Sequence, residues 1–303
     1  MEKKQCFLGP GRWDPSMNKF LEVRVLQHSW LSLILAAGAA LLSSRVPGGD
    51  AQNAGDLPEG YELVWSDEFN KDGLPDPYKW SYDTEANATG WYNHEQQYYA
   101  TGRSENSRVE GGKLILTAQK ESLTTAHDYG NQKYTSARLV TRGKAAWTYG
   151  FFEVRAKLPG GVGTWPAIWM LGTVGQWPDC GEIDIMEQVG KEPTKIYGTI
   201  HNRSTAGTSG NGSSIQVPDA CTAFHNYQLT WTSESLSIGV DGKIFHIYKN
   251  QQNGTASWPF DQPQYLLLNL AVGGDMAGPV DDTIFPRQME VEHVRVYQKN
   301  TRP

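Results

Sequence analysis

From Tyr61 onward the chain alternates short runs rich in Val, Ile, Tyr, Phe and Thr with Gly, Pro, Asn and Asp, and no stretch sustains a 3.6-residue apolar period. A helix that packs on a core needs that period to present one apolar stripe, so helical bundles and α/β folds are excluded. Lys113–Gln119 (KLILTAQ), Phe151–Lys157 (FFEVRAK), Ile196–His201 and Glu290–Gln298 (EVEHVRVYQ) are candidate strands. Ser237–Val240 and Lys243–Tyr248 flank Asp241-Gly242, a pair that takes the positive φ angles of a type I′ turn, and so predict a hairpin. No repeat of fixed length is present. The pattern predicts one all-β domain of about 240 residues, a sandwich or jelly roll, within the size range of single all-β domains.

The first fifty residues differ. Trp30–Leu42 (WLSLILAAGAALL) is an apolar run of 13 residues, short of the about 20 that cross a bilayer as a helix. With Lys19 and Arg24 before it and small residues and Pro-Gly-Gly after it, the run fits the apolar region of a secretory signal. Residues 1–51 are therefore expected to be an export segment and 52–303 the mature domain, secreted and free of the membrane. Six basic and four acidic residues go with the segment, leaving 21 and 29 and a mature net charge of −8. That sign, with no basic stripe, excludes a nucleic-acid partner and suits a neutral one. Eleven Trp and 14 Tyr suit a protein that stacks on sugar rings, although core packing uses the same residues. Cys180 and Cys221 remain as an even pair in an exported chain, hence a candidate disulfide. Asn87, Asn202, Asn211 and Asn253 head Asn-x-Ser/Thr sequons.

The chemistry concentrates in Cys180–Gly190, CGEIDIMEQVG. On a strand, Glu182 and Asp184 turn to one face and Ile183 and Ile185 to the other. Strict alternation puts Met186 next on the acidic face; the third acid instead arrives one residue late, at Glu187. A β-bulge at Ile185–Met186 restores it to that face. Three carboxylates on one face repel and raise at least one pKa, which a structural strand has no reason to accept. Retaining glycoside hydrolysis needs such a pair, one carboxylate ionised and one protonated, about 5–5.5 Å apart. The spacing alone also allows a solvated acidic edge or a calcium site.

Glu182-Ile-Asp-Ile-Met-Glu187 resembles the signature of glycoside hydrolase family 16, in the laminarinase (endo-β-1,3-glucanase) branch that carries the extra bulge residue. The resemblance runs from Val64-Trp-Ser-Asp-Glu-Phe69 through Ser136-Ala-Arg138, Gly163-Thr-Trp-Pro-Ala-Ile-Trp169 and Leu268-Asn-Leu-Ala-Val-Gly-Gly274 to Val294-Arg-Val-Tyr297. It implies a jelly roll of two curved antiparallel sheets with an open sugar cleft on the concave face. It implies Glu182 as nucleophile, Glu187 as general acid/base and Asp184 between them as a tuning group. Asn93, Arg138, Trp165, Trp169, Trp177 and His201 match cleft positions. Asn93 falls on the non-reducing side and Trp177 on the leaving-group side, and His201 reaches a hydroxyl or Glu187. His225 matches a family position read as structural. A calcium site on the convex face would use backbone carbonyls near Glu68 and Gly112 with Glu292, where the family pattern has Asp. Catalysis would need no cofactor, and the protein is expected to be a monomer acting on β-1,3-glucan. Mixed-linkage glucan, a galactan, transglycosylation, or binding without turnover are the alternatives.

Overall fold

The structure, a computed structural model, describes residues 57–206 and 210–300; the expected export segment lies outside them. Among the described residues no helix is long and apolar enough to cross a membrane. In chain order the strands are β1 (Tyr61–Asp67), β2 (Ser81–Tyr82), β3 (Gln97–Tyr99), β4 (Ser107–Glu110), β5 (Lys113–Ala118), β6 (Tyr134–Ser136), β7 (Arg138–Val140), β8 (Gly150–Lys157) and β9 (Thr164–Gly172). They continue as β10 (Glu182–Glu187), β11 (Lys195–His201), β12 (Asn211–Gln216), β13 (His225–Trp231), β14 (Ser235–Val240), β15 (Lys243–Lys249), β16 (Gln264–Val272) and β17 (Arg287–Lys299). One four-residue helix, α1 (Gly274–Ala277), follows β16.

Two antiparallel sheets account for the sandwich. The outer one has the order β15-β14-β13-β8-β17-β5-β4, with β1 also on β17. The inner one runs β12-β11-β10-β9-β16-β7-β2 and carries the acidic strand at its centre. The expected hairpin is β14–β15: Val240 pairs with Lys243, and Asp241 and Gly242 sit at φ 47° and 79°.

The core lies between the sheets. Alternate residues of the inner sheet (Ile168 and Met170 on β9, Ile183 on β10, Leu266, Leu268 and Leu270 on β16) meet Phe152, Val154, Leu229, Trp231 and Val296 of the outer one. Because the period is two, burying one face of each strand fixes what the other presents. The residues left on the cleft side of β9 are Trp165, Ala167 and Trp169, paired across to Ala271, Asn269 and Leu267 of β16.

The expected Cys180–Cys221 disulfide is not formed. Cys221 is a free, half-buried thiol beside the Pro193 carbonyl and Gln188, whereas Cys180 is fully buried in the turn between β9 and β10. Two of the sequons are closed to glycans: the Asn87 and Asn202 side chains are fully buried and hydrogen-bonded, Asn87 to Tyr99, Trp91 and Asp128. Asn211 and Asn253 are exposed.

Glu292, the one side chain expected at a calcium site, already faces a guanidinium group, as does the side chain of Glu68, where a backbone carbonyl was the expected donor. Glu68 takes two hydrogen bonds from Arg295 at 2.9 and 2.8 Å, and Glu292 accepts from Arg155 Nε at 2.6 Å. Gly112 lies in the β4–β5 turn at φ 75°. A cation there would meet the Arg155 guanidinium beside its one expected side-chain ligand. His225 lies between Asp219 and Asp241, a structural tie as expected.

Ile183 joins the core to the site, since it is fully buried between two cleft-facing acids. Ile183→Ala should lower unfolding stability by about 2–5 kcal/mol, read from the urea midpoint at unchanged m. A loss under about 0.5 kcal/mol, the scale of surface changes, would contradict the packing described.

Candidate active site

The register of β10 places the acids. Glu182 pairs with Leu171 of β9 and His201 of β11, and Asp184 with Trp169 and Thr199. The ladder then slips by one residue, and Glu187 pairs with Ala167 and Tyr197. This is the expected bulge: Ile185 and Met186 both enter the core with no exposure, and Glu187 returns to the cleft beside Glu182 and Asp184.

The cleft is an open cavity of about 1260 Å³ with these carboxyls on its floor. Every cleft residue expected from sequence lines it or the recess beside it: Asn93, Trp165, Trp177 and His201 in the main cavity, Arg138 and Trp169 in the recess.

Each outer acid holds an indole N–H. Trp177 Nε1 donates to Glu182 Oε2 at 2.6 Å, and Trp165 Nε1 donates to Glu187 Oε1 at 3.0 Å. Trp177, expected on the leaving-group side, lines the cleft and orients Glu182. His201 Nε2 lies 3.2 Å from Asp184 Oδ2, so its partner is the middle acid rather than Glu187. Burial, and next the charge of Asp184, push the Glu187 carboxyl up to about 8; Glu182 adds to the rise and the Trp165 N–H opposes it. Glu187 therefore keeps its proton at neutral pH beside two further carboxyls, an arrangement suited to general acid catalysis.

Arg138 is almost wholly buried, its guanidinium 4.7 Å from the Trp169 ring centroid and 5.1 Å from that of Trp91. Its Nε is 3.1 Å from Asp83 Oδ2 but does not point along that line, so the contact is an ion pair rather than an aligned hydrogen bond. The stack fixes the planes of both indoles, and Trp169 Nε1 donates to Asn269 Oδ1 at 2.7 Å. Asn93 sits at φ 56° in a turn pressed against α1, and a Cβ on Gly274 would come within 2.8 Å of its carbonyl oxygen.

Asn269, Tyr197 and Thr199 are cleft residues that sequence reading did not single out. Asn269 had a legible signal, a lone amide in the apolar run Leu266–Val272. Tyr197 and Thr199 had none, because their face depends on how β11 registers against a bulged β10.

A β-sheet cleft that sets a protonated carboxyl, Glu187, beside a second one, Glu182, under tryptophan walls defines a carbohydrate-cleaving enzyme of the two-carboxylate class. The chain belongs to glycosyl hydrolases family 16, whose model matches residues 94–292. A beta-glucanase from Rhodothermus marinus is 45% identical over 289 residues, 91% of this chain and 96% of that protein. The X-ray structure of the laminarinase from Rhodothermus marinus is 49% identical, covering 78% of this chain and 97% of that one at a TM-score of 0.74. That of SCLam, a non-specific endo-β-1,3(4)-glucanase, is 51% identical, covering 81% and 94% at 0.79.

The raised Glu187 pKa has a consequence for stability. An unfolded Glu titrates near 4.3 and Glu187 in the fold at about 8, so across that interval the folded state binds more protons and loses stability as pH rises. Glu187→Gln, which cannot ionise, should gain on wild type between about pH 5 and pH 8, opening a Tm difference of several degrees. Thermal scans that show a constant difference across this range would mean that Glu187 titrates like an exposed acid.

Proposed function

We propose that the chain is a secreted, retaining endo-β-1,3-glucanase that acts as a monomer on internal bonds of β-1,3-glucan. The observation that carries this reading is the pairing on one bulged strand of Glu182, which accepts the Trp177 N–H, with Glu187, held protonated by desolvation and the charge of Asp184. In the first step the Glu182 carboxylate bonds to the anomeric carbon as the bond to the leaving sugar breaks, and Glu187 passes its proton to the departing oxygen. In the second, Glu187 takes a proton from water as that water attacks the glycosyl ester and releases Glu182. Asp184, tied to His201, lies between them and keeps negative charge near Glu187 so that its proton is not lost early. No step needs a cofactor, and calcium has no role in it.

An open cleft admits a chain at any point along its length, which favours internal cleavage. Donor-side sugars would lie over Trp165, Trp169 and Asn269 within reach of Asn93, with the Arg138 stack holding the floor flat. The apolar run at 30–42 agrees with export of a mature chain from about residue 52. Tolerance of β-1,4 bonds beside β-1,3 bonds is the second reading, favoured by the 51% identity to a non-specific endo-β-1,3(4)-glucanase.

Residues 52–303 should release a ladder of β-1,3 oligosaccharides from laminarin, and Glu182→Gln should reduce turnover by roughly 10⁴-fold with the fold intact. Chromatography that finds only glucose, or a Glu182→Gln protein of near-normal rate, would overturn the endo mode or the nucleophile respectively. Products from lichenan as well would establish the second reading.

Glu187→Ala should lose laminarin hydrolysis yet still accept an aryl β-glycoside, whose phenolate departs without a proton, with azide speeding the second step. Failure on the aryl substrate with azide present would remove Glu187 from the acid/base role.

A further inference from the structure

Two asparagines of the chain stand directly before a glycine, at Asn211-Gly212 and Asn253-Gly254. Asparagine is among the chemically labile residues of proteins. It is most open to attack by its own backbone when glycine follows, because no side chain crowds the attacking nitrogen. Both asparagines are exposed, yet the fold treats them differently.

Asn211 opens β12 and is held in the ladder with β11, where Asn211 pairs with Ile200 and Gly212 with Thr199. A strand residue has ψ near about +135°, which turns the next nitrogen away from the side-chain carbonyl. Bringing them together means rotating Asn211 out of the extended range and parting this end of β12 from β11. Gly212 has little room to follow, since even a Cβ there would come within 2.7 Å of the Gly198 carbonyl oxygen and 2.8 Å of Thr199 Oγ1.

Asn253 lies in the loop between β15 and β16, outside every strand. Gly254 sits at φ 85° with nothing within 4 Å of where a Cβ would be, and its N–H donates to no group among the described residues. The turn stands without that nitrogen, because the Gly254 carbonyl accepts from the Ser257 and Trp258 N–H groups at 3.2 and 3.0 Å. The Asn253 amide makes one long contact, 3.4 Å to Gln251 Oε1.

We propose that Asn253 is a site of spontaneous deamidation by water and that Asn211 is protected from it by its strand. The Gly254 nitrogen attacks Asn253 Cγ, and the N–Cγ bond forms as the Cγ–Nδ2 bond breaks. The Gly254 proton leaves with Nδ2 as ammonia, and a cyclic imide remains. Water then opens the imide at either carbonyl, giving Asp or, with the main chain rerouted through Cγ, isoaspartate. Both products add one negative charge, and no oxidant or enzyme takes part. Isoaspartate also lengthens the main chain by one carbon in a turn with a structural task. The Ala256 carbonyl accepts from the Ser204 N–H at 2.9 Å and the Ser257 carbonyl from Asn202 Nδ2 at 3.0 Å, so the turn holds the segment that follows His201 in the cleft.

The test keeps the purified full chain in mildly alkaline buffer, folded and in denaturant, and follows both sites by peptide mass spectrometry and the whole chain by isoelectric focusing. In the folded protein Asn253 should gain the mass of an amide-to-acid exchange at least about tenfold faster than Asn211, whose reaction waits on local opening of β12. In denaturant the two rates should converge, and Asn253→Gln should remove the first acidic band of the folded protein. Equal rates in the folded protein, or an Asn253 that stays intact while the denatured chain converts, would overturn the assignment. So would an Asn211 that remains slow in denaturant, or an acidic band that survives in Asn253→Gln.

Discussion

One extra residue in the central strand organises the site. Without the slip at Ile185–Met186, the period of two would send Glu187 into an apolar core and Met186 into the cleft. With it, both apolar side chains are fully buried and all three acids share one face. Burying a Val, Leu, Ile, Phe or Met side chain is worth about 1.5–3 kcal/mol each, so Ile183, Ile185 and Met186 together anchor the strand against the repulsion of its own carboxylates. The bulge is thus the point at which core packing dictates catalytic geometry. A change that slips the register by one residue would damage core and site together.

The two outer acids then receive different environments from similar means. Each accepts one indole N–H, yet Glu182 is met by a 2.6 Å bond from Trp177, while half-buried Glu187 faces a longer bond, desolvation and the charge of Asp184. Desolvation beside like charge favours the acid at Glu187, and the short indole bond fixes the orientation of Glu182. The tryptophans along this face consequently combine apolar area for sugar rings with hydrogen-bond donors for the carboxyls. Arg138 keeps that dual use possible on the donor side by clamping Trp169 and Trp91 in fixed planes, its own charge matched by Asp83.

What sequence could reveal followed from periodicity. The strands at 113–119, 151–157 and 290–298, the Asp241-Gly242 turn and the bulge all express the period of two or a departure from it, and the structure has each. Cleft residues at fixed positions in local motifs, such as Trp165 and Trp169, were likewise legible. Properties set by pairing between distant segments were not. Thr199 gains its place only because β11 registers against a bulged neighbour, and His201 meets Asp184 rather than Glu187 because its row is that of Glu182. Cys180 and Cys221 formed an even pair in sequence, but one lies under the β9–β10 turn and the other on the loop before β13, so count carried no information about proximity. Glu292 differed from the expected Asp by one methylene; its partner Arg155 lies on the neighbouring strand and was not legible in the sequence.

The asymmetry of the inner sheet bears on how a chain could be handled. Donor-side strands β9 and β16 are buried along their full length, and their cleft face carries fixed aromatic planes. The leaving-group side ends in β12, an edge strand whose residues are mostly exposed. Rigid aromatic surface binds sugar rings at little entropic expense, whereas an exposed edge offers few fixed contacts. Binding energy should therefore concentrate on the sugars destined for the covalent intermediate, which must stay while water arrives. The departing fragment has to leave before that water can attack, and the exposed edge at β12 gives it an open way out.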